Sequence, residues 1–308
     1  MHIYILKRLL MMVPVLIGVI FIIFSITYFM PGCPATIRLG EHTSHEAIAA
    51  ERERMGLNDP FIVRLATYTA SVARLDFGES WSTNRPVFVE ISARFPTTMQ
   101  LAAMGIIMAL LIGIPLGILS STRQYSIFDA GANFIGLIGV SVPNFWLGML
   151  LILFFSVGLG VLPTSGWDSP SHWVLPVIAI GTGSASIIMR MTRSSMLECI
   201  RSDYIRTARA KGQKESKIIF KHALRNALIP VVTVAGISFG MLLGGAVITE
   251  TIFAIPGLGR FMVDSITRRD FPTVQGGVLL LALSFSIVNL LVDILYAFLD
   301  PRIRSQYN

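Results

Sequence analysis

Long apolar runs separated by polar segments repeat along the chain. Crossing about 30 Å of hydrocarbon takes ~20 apolar residues at 1.5 Å each. Six runs have that length, at 9–30, 97–121, 134–162, 173–191, 228–250 and 274–299, and each is read as a transmembrane helix. Lys7-Arg8 before the first run, Arg123 after the second, a strongly basic stretch after the fourth, and Arg302 and Arg304 after the sixth all fall on one side. Short basic loops stay in the cytoplasm, so both termini are expected inside. The first run resembles a signal sequence, but it is longer than a signal h-region and no small-x-small cleavage site follows; an uncleaved span is expected.

Residues 31–96 form the one long segment on the other side, with seven arginines against eight acidic residues. Asn58-Asp59-Pro60 reads as a helix start, with Asp59 at the cap and Pro60 first in the helix. Phe61, Leu65, Tyr68, Val72 and Leu75 follow at helical spacing and predict an amphipathic helix ending near Gly78. Its apolar stripe either packs on the bundle or docks an external partner. Within the spans, Gly236, Gly240 and Gly244, and Gly113 and Gly117 around Pro115, read as helix-packing positions. Pro143 is expected to kink the third span, with Ser141 or Asn144 satisfying the freed backbone groups.

Composition agrees with this pattern. The 308 residues are 53% hydrophobic and 14% charged, with mean hydropathy +0.68, whereas a soluble domain carries about 25% charged residues. The formal charge of +7 is concentrated in loops between spans, which points to orientation in a membrane and away from nucleic acid. Cys33 and Cys199 are expected on opposite sides and cannot pair. The ionisable residues noted near spans, Arg190, Glu250 and Asp293, lie near expected helix ends and not at the midplane, which argues against a proton-coupled pump. There is no G-x-x-x-x-G-K-[ST], H-E-x-x-H or C-x-x-C pattern. His42 and His45 lack a third ligand for a metal. Neither a catalytic centre nor a cofactor or metal site is expected.

The stretch from Arg190 to Arg225 holds ten basic and three acidic residues, a surplus equal to that of the whole chain. Ser202-Asp203 reads as a helix cap, Tyr204 to Lys211 as a short helix, and Gly212 as its stop. A second helix follows, with Phe220, Ala223, Leu224, Ala227 and Leu228 on an apolar stripe and Lys217, Lys221 and Arg225 opposite; Pro230 is expected to open the fifth span. A helix, a corner and a helix joined to a span form a lever: a partner holding the first helix moves the span. A basic loop that merely touches lipid headgroups is the plainer alternative.

This loop resembles the cytoplasmic signature of permease subunits in binding-protein-dependent ABC importers of the dipeptide/oligopeptide/nickel type. The run Tyr-x-Arg-Thr-Ala-Arg-Ala-Lys-Gly at 204–212, followed by His-Ala-Leu-Arg-Asn-Ala-Leu-Ile-Pro at 222–230, carries the likeness. The general Glu-Ala-Ala triplet aligns with Arg206-Thr207-Ala208, without the acidic residue. KRLL, LNDPF, LDFGES, SVPNFWLGM, ETIFAIPGLGR and LLVDILYAFLDPRIR extend the likeness over nearly the whole chain.

The resemblance implies an all-α, type I importer permease fold in a bacterial or archaeal cytoplasmic membrane. It would comprise 1–30 as first span, 31–96 outside, and a 97–308 core with its coupling loop at about 192–227. It also implies a homologous second permease, two cytoplasmic ATPases that bind ATP and Mg, and an extracytoplasmic binding protein, with lipid around the bundle. On this reading Tyr204, Arg206, Thr207, Ala208, Arg209, Ala210, Lys211 and Gly212 couple to the ATPases. Helix position makes Ser141, Asn144, Ser238 and Met241 candidate path residues. Short peptides are the expected substrate, with nickel or metal chelates and glutathione-like peptides as alternatives. A self-sufficient secondary transporter, which needs inverted repeats and a midplane carboxylate, and a membrane-embedded hydrolase are the competing classes.

Overall fold

The computed structural model describes residues 2–40 and 43–299; His42, Arg302 and Arg304 lie outside them. The described residues are helical with connecting turns, apart from one isolated bridge between Glu79 and Pro86. The helices are α1 (His2–Phe29), α2 (Pro34–Leu39), α3 (His45–Arg54), α4 (Phe61–Ala73), α5 (Val87–Thr122), α6 (Ile127–Ser141), α7 (Asn144–Leu151), α8 (Pro170–Ile200), α9 (Asp203–Ala210), α10 (Glu215–Lys217), α11 (Leu224–Ile252), α12 (Leu258–Thr267) and α13 (Phe271–Leu299). A π-helical stretch, Ile152–Gly158, continues α7, and another, Ile218–Ala223, joins α10 to α11.

Among the described residues five helices are long and apolar enough to cross a membrane: α1, α5, α8, the continuous Glu215–Ile252 rod ending in α11, and α13. The count reaches six when α6 and α7 are taken together as one broken span. The basic loop lies at one end of the bundle, here the loop end; α2, α3, α4 and α12 lie at the far end.

The third expected span differs most from the sequence reading. Pro143 does not kink a continuous helix; α6 and α7 meet at 101°. Val142, pushed by the following proline into an extended conformation (φ −84°, ψ 121°), ends α6. Pro143 has no N–H to donate and becomes the N-cap of α7. The second span starts ten residues earlier than expected, at Val87, with Pro96 and Pro115 inside α5. The fourth runs on past Met191 to Ile200 and so takes in Arg193. Pro230 lies within α11 instead of opening it.

The core forms where α5, α8 and α11 meet. Leu101, Ala102, Leu175, Ile180, Leu243 and Ala246 are buried there with Phe253 and Ile255. Small residues let α5 and α8 approach. A Cβ at Gly113 would lie 2.6 Å from the Ala185 carbonyl, and one at Gly117 would lie 2.5 Å from the Thr192 Cβ. Such contact replaces the hydrophobic drive that lipid does not supply. Gly236 and Gly240 likewise face Val292 and Phe285 of α13, while Gly244 faces open space.

The peripheral α1 is fastened to α13 near both ends, by Arg8–Asp293 at 2.7 Å and by Gln275 Nε2 donating to Thr27 Oγ1 at 2.5 Å. At the far end, α4 presents Leu65, Tyr68 and Val72 to the cluster of Ile20, Phe77, Val87 and Leu279, and Phe61 meets the rings of Phe24 and Tyr28. The stripe therefore packs on the bundle. Pro60 is its N-cap, not its first residue, and Leu75, beyond the helix end with φ 62°, is exposed. Asp270 joins this segment to α13: its carboxylate accepts from Ser80 Oγ (2.5 Å), the Trp81 N–H (3.0 Å), Ser82 Oγ (2.9 Å) and Thr273 Oγ1 (2.9 Å).

Candidate functional site: the basic loop

The loop begins where α8 ends. Ser202 takes the N-cap position of α9, but its hydroxyl donates back to the Cys199 carbonyl at 2.5 Å, so Asp203 in the first turn is what complements the helix dipole. A single apolar residue fixes the helix. Ile205 is fully buried with Met196, Ile218, Ala223 and Ala227, and Ala208 packs partly against them. The remaining residues singled out by the sequence, Tyr204, Arg206, Thr207, Arg209, Ala210, Lys211 and Gly212, are exposed.

Gly212 closes α9 in a Schellman turn. Its own N–H donates to the Arg209 carbonyl at 2.9 Å, the Gln213 N–H donates to the Ala208 carbonyl at 3.3 Å, and its φ is +71°. Three side-chain bonds hold the corner against the following rod. Asn226 Nδ2 donates to the Tyr204 hydroxyl (3.0 Å), Arg209 pairs with Glu215 (2.5 Å), and His222 bonds Gln213 (2.8 Å). The Glu215 carboxylate raises the Arg209 guanidinium above its ordinary value. Since Glu215–Ile252 is continuous, α9 and the span in α11 form one mechanical unit.

The expected apolar stripe is corrected at Phe220, which is 60% exposed while Ile218 is buried. The π-helical turn at Ile218–Ala223 shifts the register by which residues face the bundle. Ala223 and Ala227 are buried as expected, and Leu224 packs against them.

Beneath the loop lies a buried charge network that the sequence reading missed. Asp129 accepts two bonds from Arg193, at 2.8 and 2.9 Å, and others from Ser120 Oγ (2.5 Å), Asn133 Nδ2 (2.7 Å) and the Tyr125 N–H (3.0 Å). It locks α5, α6 and α8 together. Arg193 is therefore not part of a free surface charge. The Ser-x-x-Asp pattern at 126–129, a helix-start signature, was the available signal; the Ser126 hydroxyl accepts from the Asp129 N–H at 3.3 Å. Arg201 bonds Gln124 at 3.1 Å nearby.

At the far end, Glu250 is fully buried. It accepts from Thr98 Oγ1 at 2.5 Å and from the Arg260 N–H at 2.9 Å, capping α12. Gly257 and Gly259 lie against its carboxylate, where a Cβ would collide. The IPGLGR sequence is thus a cradle for Glu250.

The four candidate path residues differ in exposure. Ser141 is exposed at the α6–α7 break and Asn144 is half-buried; Ser238 is 5% exposed and Met241 66%. The run Gly236-Ile237-Ser238-Phe239-Gly240 has the letters of a G-x-S-x-G nucleophile motif. It lies inside α11, without the strand-to-helix turn that chemistry requires. Among the described residues no group of three metal-binding side chains occurs.

The family described as "Binding-protein-dependent transport system inner membrane component" matches residues 113–305, and its N-terminal counterpart matches 1–102. The chain is 45% identical to the dipeptide transport system permease protein DppB of Alkalihalophilus pseudofirmus, over 98% of this chain and 99% of that one. It is 44% identical to the glutathione transport system permease protein GsiC of Salmonella typhi, over 98% of both. Among solved structures, an inward-facing MetNI methionine ABC transporter aligns with TM-score 0.58 at 22% identity, over 68% of this chain and 96% of that chain. An amino acid ABC transporter with histidines aligns with TM-score 0.52 at 16% identity, over 69% and 94%. The all-helical bundle has the fold of these importer permeases. The chain belongs to the family of binding-protein-dependent transport system inner membrane components, the multi-pass permease subunits of ABC importers in the cytoplasmic membrane.

Proposed function

We propose that this permease passes short peptides, and that α9 with its glycine corner couples their passage to ATP hydrolysis in partner subunits. The observation that carries the coupling is the continuous rod from Glu215 to Ile252, bound at its root to α9. An ATPase that seats against the exposed face of α9 moves α11 with it. Tyr204, Arg206, Thr207, Ala208, Arg209, Ala210, Lys211 and Gly212 form the coupling element. A homologous second permease completes the channel, two cytoplasmic ATPases supply ATP and Mg sites, and a binding protein delivers substrate to the far end, which faces outside. This chain itself carries out no catalysis. Dipeptide permeases at 40–45% identity favour peptides. The glutathione permeases at 44% support a related tripeptide as the second reading.

Affinity purification in mild detergent from native membranes, with mass spectrometry of the copurifying proteins, tests the proposal. It predicts a second six-span permease, P-loop ATPases and an external binding protein holding a peptide. Recovery of the chain alone, still moving solute without ATP, would refute it.

A further inference from the structure

The far-end segment forms an open cavity of about 350 Å³ between α1, α4, the turn after α4 and the first turn of α13. That is at the small-ligand end of the range for binding pockets. Its walls mix aromatic surface with both signs of charge: Phe77 and Trp81, Arg64, and the carboxylates of Asp59 and Asp76.

Two groups here lack a hydrogen-bond or ion-pair partner. The Tyr68 hydroxyl is buried and bonds to nothing, an unfavourable state for a buried polar group. Arg64 is half-buried, and its guanidinium lies 5.0 Å from the Tyr28 ring and 6.0 Å from that of Phe24. Ring contact orients a cation without neutralising it. Among the described residues neither Arg64 nor Asp59 nor Asp76 enters an ion pair within 4.0 Å. The neighbouring Arg38 pairs with Glu79 at 2.8 Å, whereas these three stay outside ion pairs; Asp76 Oδ1 accepts from the Gly78 N–H at 2.9 Å, which leaves Oδ2 for a ligand. Burial lowers the Arg64 guanidinium from its ordinary value and raises the Tyr68 hydroxyl, which therefore stays a donor.

We propose that this cavity is a subsite for a small zwitterion with an apolar side chain, of which a dipeptide is the simplest kind. Arg64 and the Tyr68 hydroxyl take the carboxylate, Asp59 and Asp76 take the ammonium, and Phe77 and Trp81 cover the apolar side chain. For its ligand class the inference rests on the peptide-permease reading. The subsite holds peptide at the permease surface before it enters the bundle.

The test is equilibrium binding of radiolabelled alanyl-phenylalanine to the transporter complex in nanodiscs, without binding protein. Saturable binding is expected. Arg64→Gln weakens it about tenfold and Tyr68→Phe roughly three- to tenfold, as for one lost hydrogen bond. N-acetyl-alanyl-phenylalanine amide, which lacks both charges, does not compete. Tyr68→Phe leaves thermal stability unchanged or higher, since the hydroxyl it removes has no partner in the protein. No saturable binding to wild type, equal binding by both variants, or equal competition by the blocked peptide overturns the subsite. The same preparation shows whether ATPases copurify. Their absence refutes the importer reading, whereas absent peptide binding in an intact complex refutes the subsite alone.

Discussion

Replacing Asp129 by alanine removes the acceptor at the centre of the α5–α6–α8 junction. The side chain is almost fully buried, with 6% of its surface exposed against 24% for Arg193. Its loss leaves the Arg193 guanidinium, the Ser120 hydroxyl, the Asn133 amide and the Tyr125 N–H without their common partner. Breaking a buried pair by deleting one member costs roughly 3–5 kcal/mol, chiefly because a desolvated charge stays behind. Water reaches part of Arg193, so the lower end applies, about 3 kcal/mol. At about 2–4 °C per kcal/mol for chains of this order of size, the melting temperature should fall by roughly 6–12 °C. Thermal unfolding of the detergent-solubilised complex, followed by size-exclusion fluorescence, reads this directly. The paired variant Asp129→Leu with Arg193→Met removes both charges and should recover most of the loss, because apolar replacement of a buried pair is often neutral. A fall of only about 2 °C for Asp129→Ala, under about 1 kcal/mol, or a double variant no more stable than the single one, would show that Asp129 does not hold this junction.

Two further outcomes follow from local geometry. Nothing lies within 4 Å of a Cβ at Gly212, so substitution there acts through the backbone at φ +71° and not through a clash. Asparagine tolerates that region and a β-branched residue does not; uptake should survive Gly212→Asn and be lost in Gly212→Val, with both complexes assembled, and equal uptake by the two would separate the corner from coupling. Glu250→Gln keeps the volume but sets an amide against donors from Thr98 and Arg260. It should lose about 1–3 kcal/mol and open the 254–260 turn to proteolysis, and wild-type protease resistance would contradict the capping role.

The spans were legible because membrane crossing imposes a length on every apolar run, and 9–30 or 274–299 has no other plausible reading. The short α9 and its stop were legible from a glycine at a helix end. What escaped the sequence depends on tertiary pairing. Pro143 reads as a kink in sequence, and that it breaks the span instead depends on the packing of α6 and α7 against α8. The π-helical turn before α11 is invisible to 3.6-residue periodicity, which is why Phe220 was placed on the wrong face. Asp129 and Arg193 stand far apart in sequence, so Arg193 counted only toward the basic stretch and Asp129 drew no notice, although the structure joins them at 2.8 Å. The opening of α12 depends on Glu250 meeting Gly257 and Gly259, a contact no propensity reports.

Coupling requires that the exposed face of α9 meet a partner ATPase. Site-directed crosslinking tests it in a background with Cys33→Ser and Cys199→Ser. Thr207→Cys, on the exposed face, is predicted to join an ATPase subunit through a short bis-maleimide and to stop uptake once joined. Ile205→Cys, fully buried under α9, is predicted to join nothing. An assembled, active transporter in which Thr207→Cys reaches no ATPase would contradict the claim.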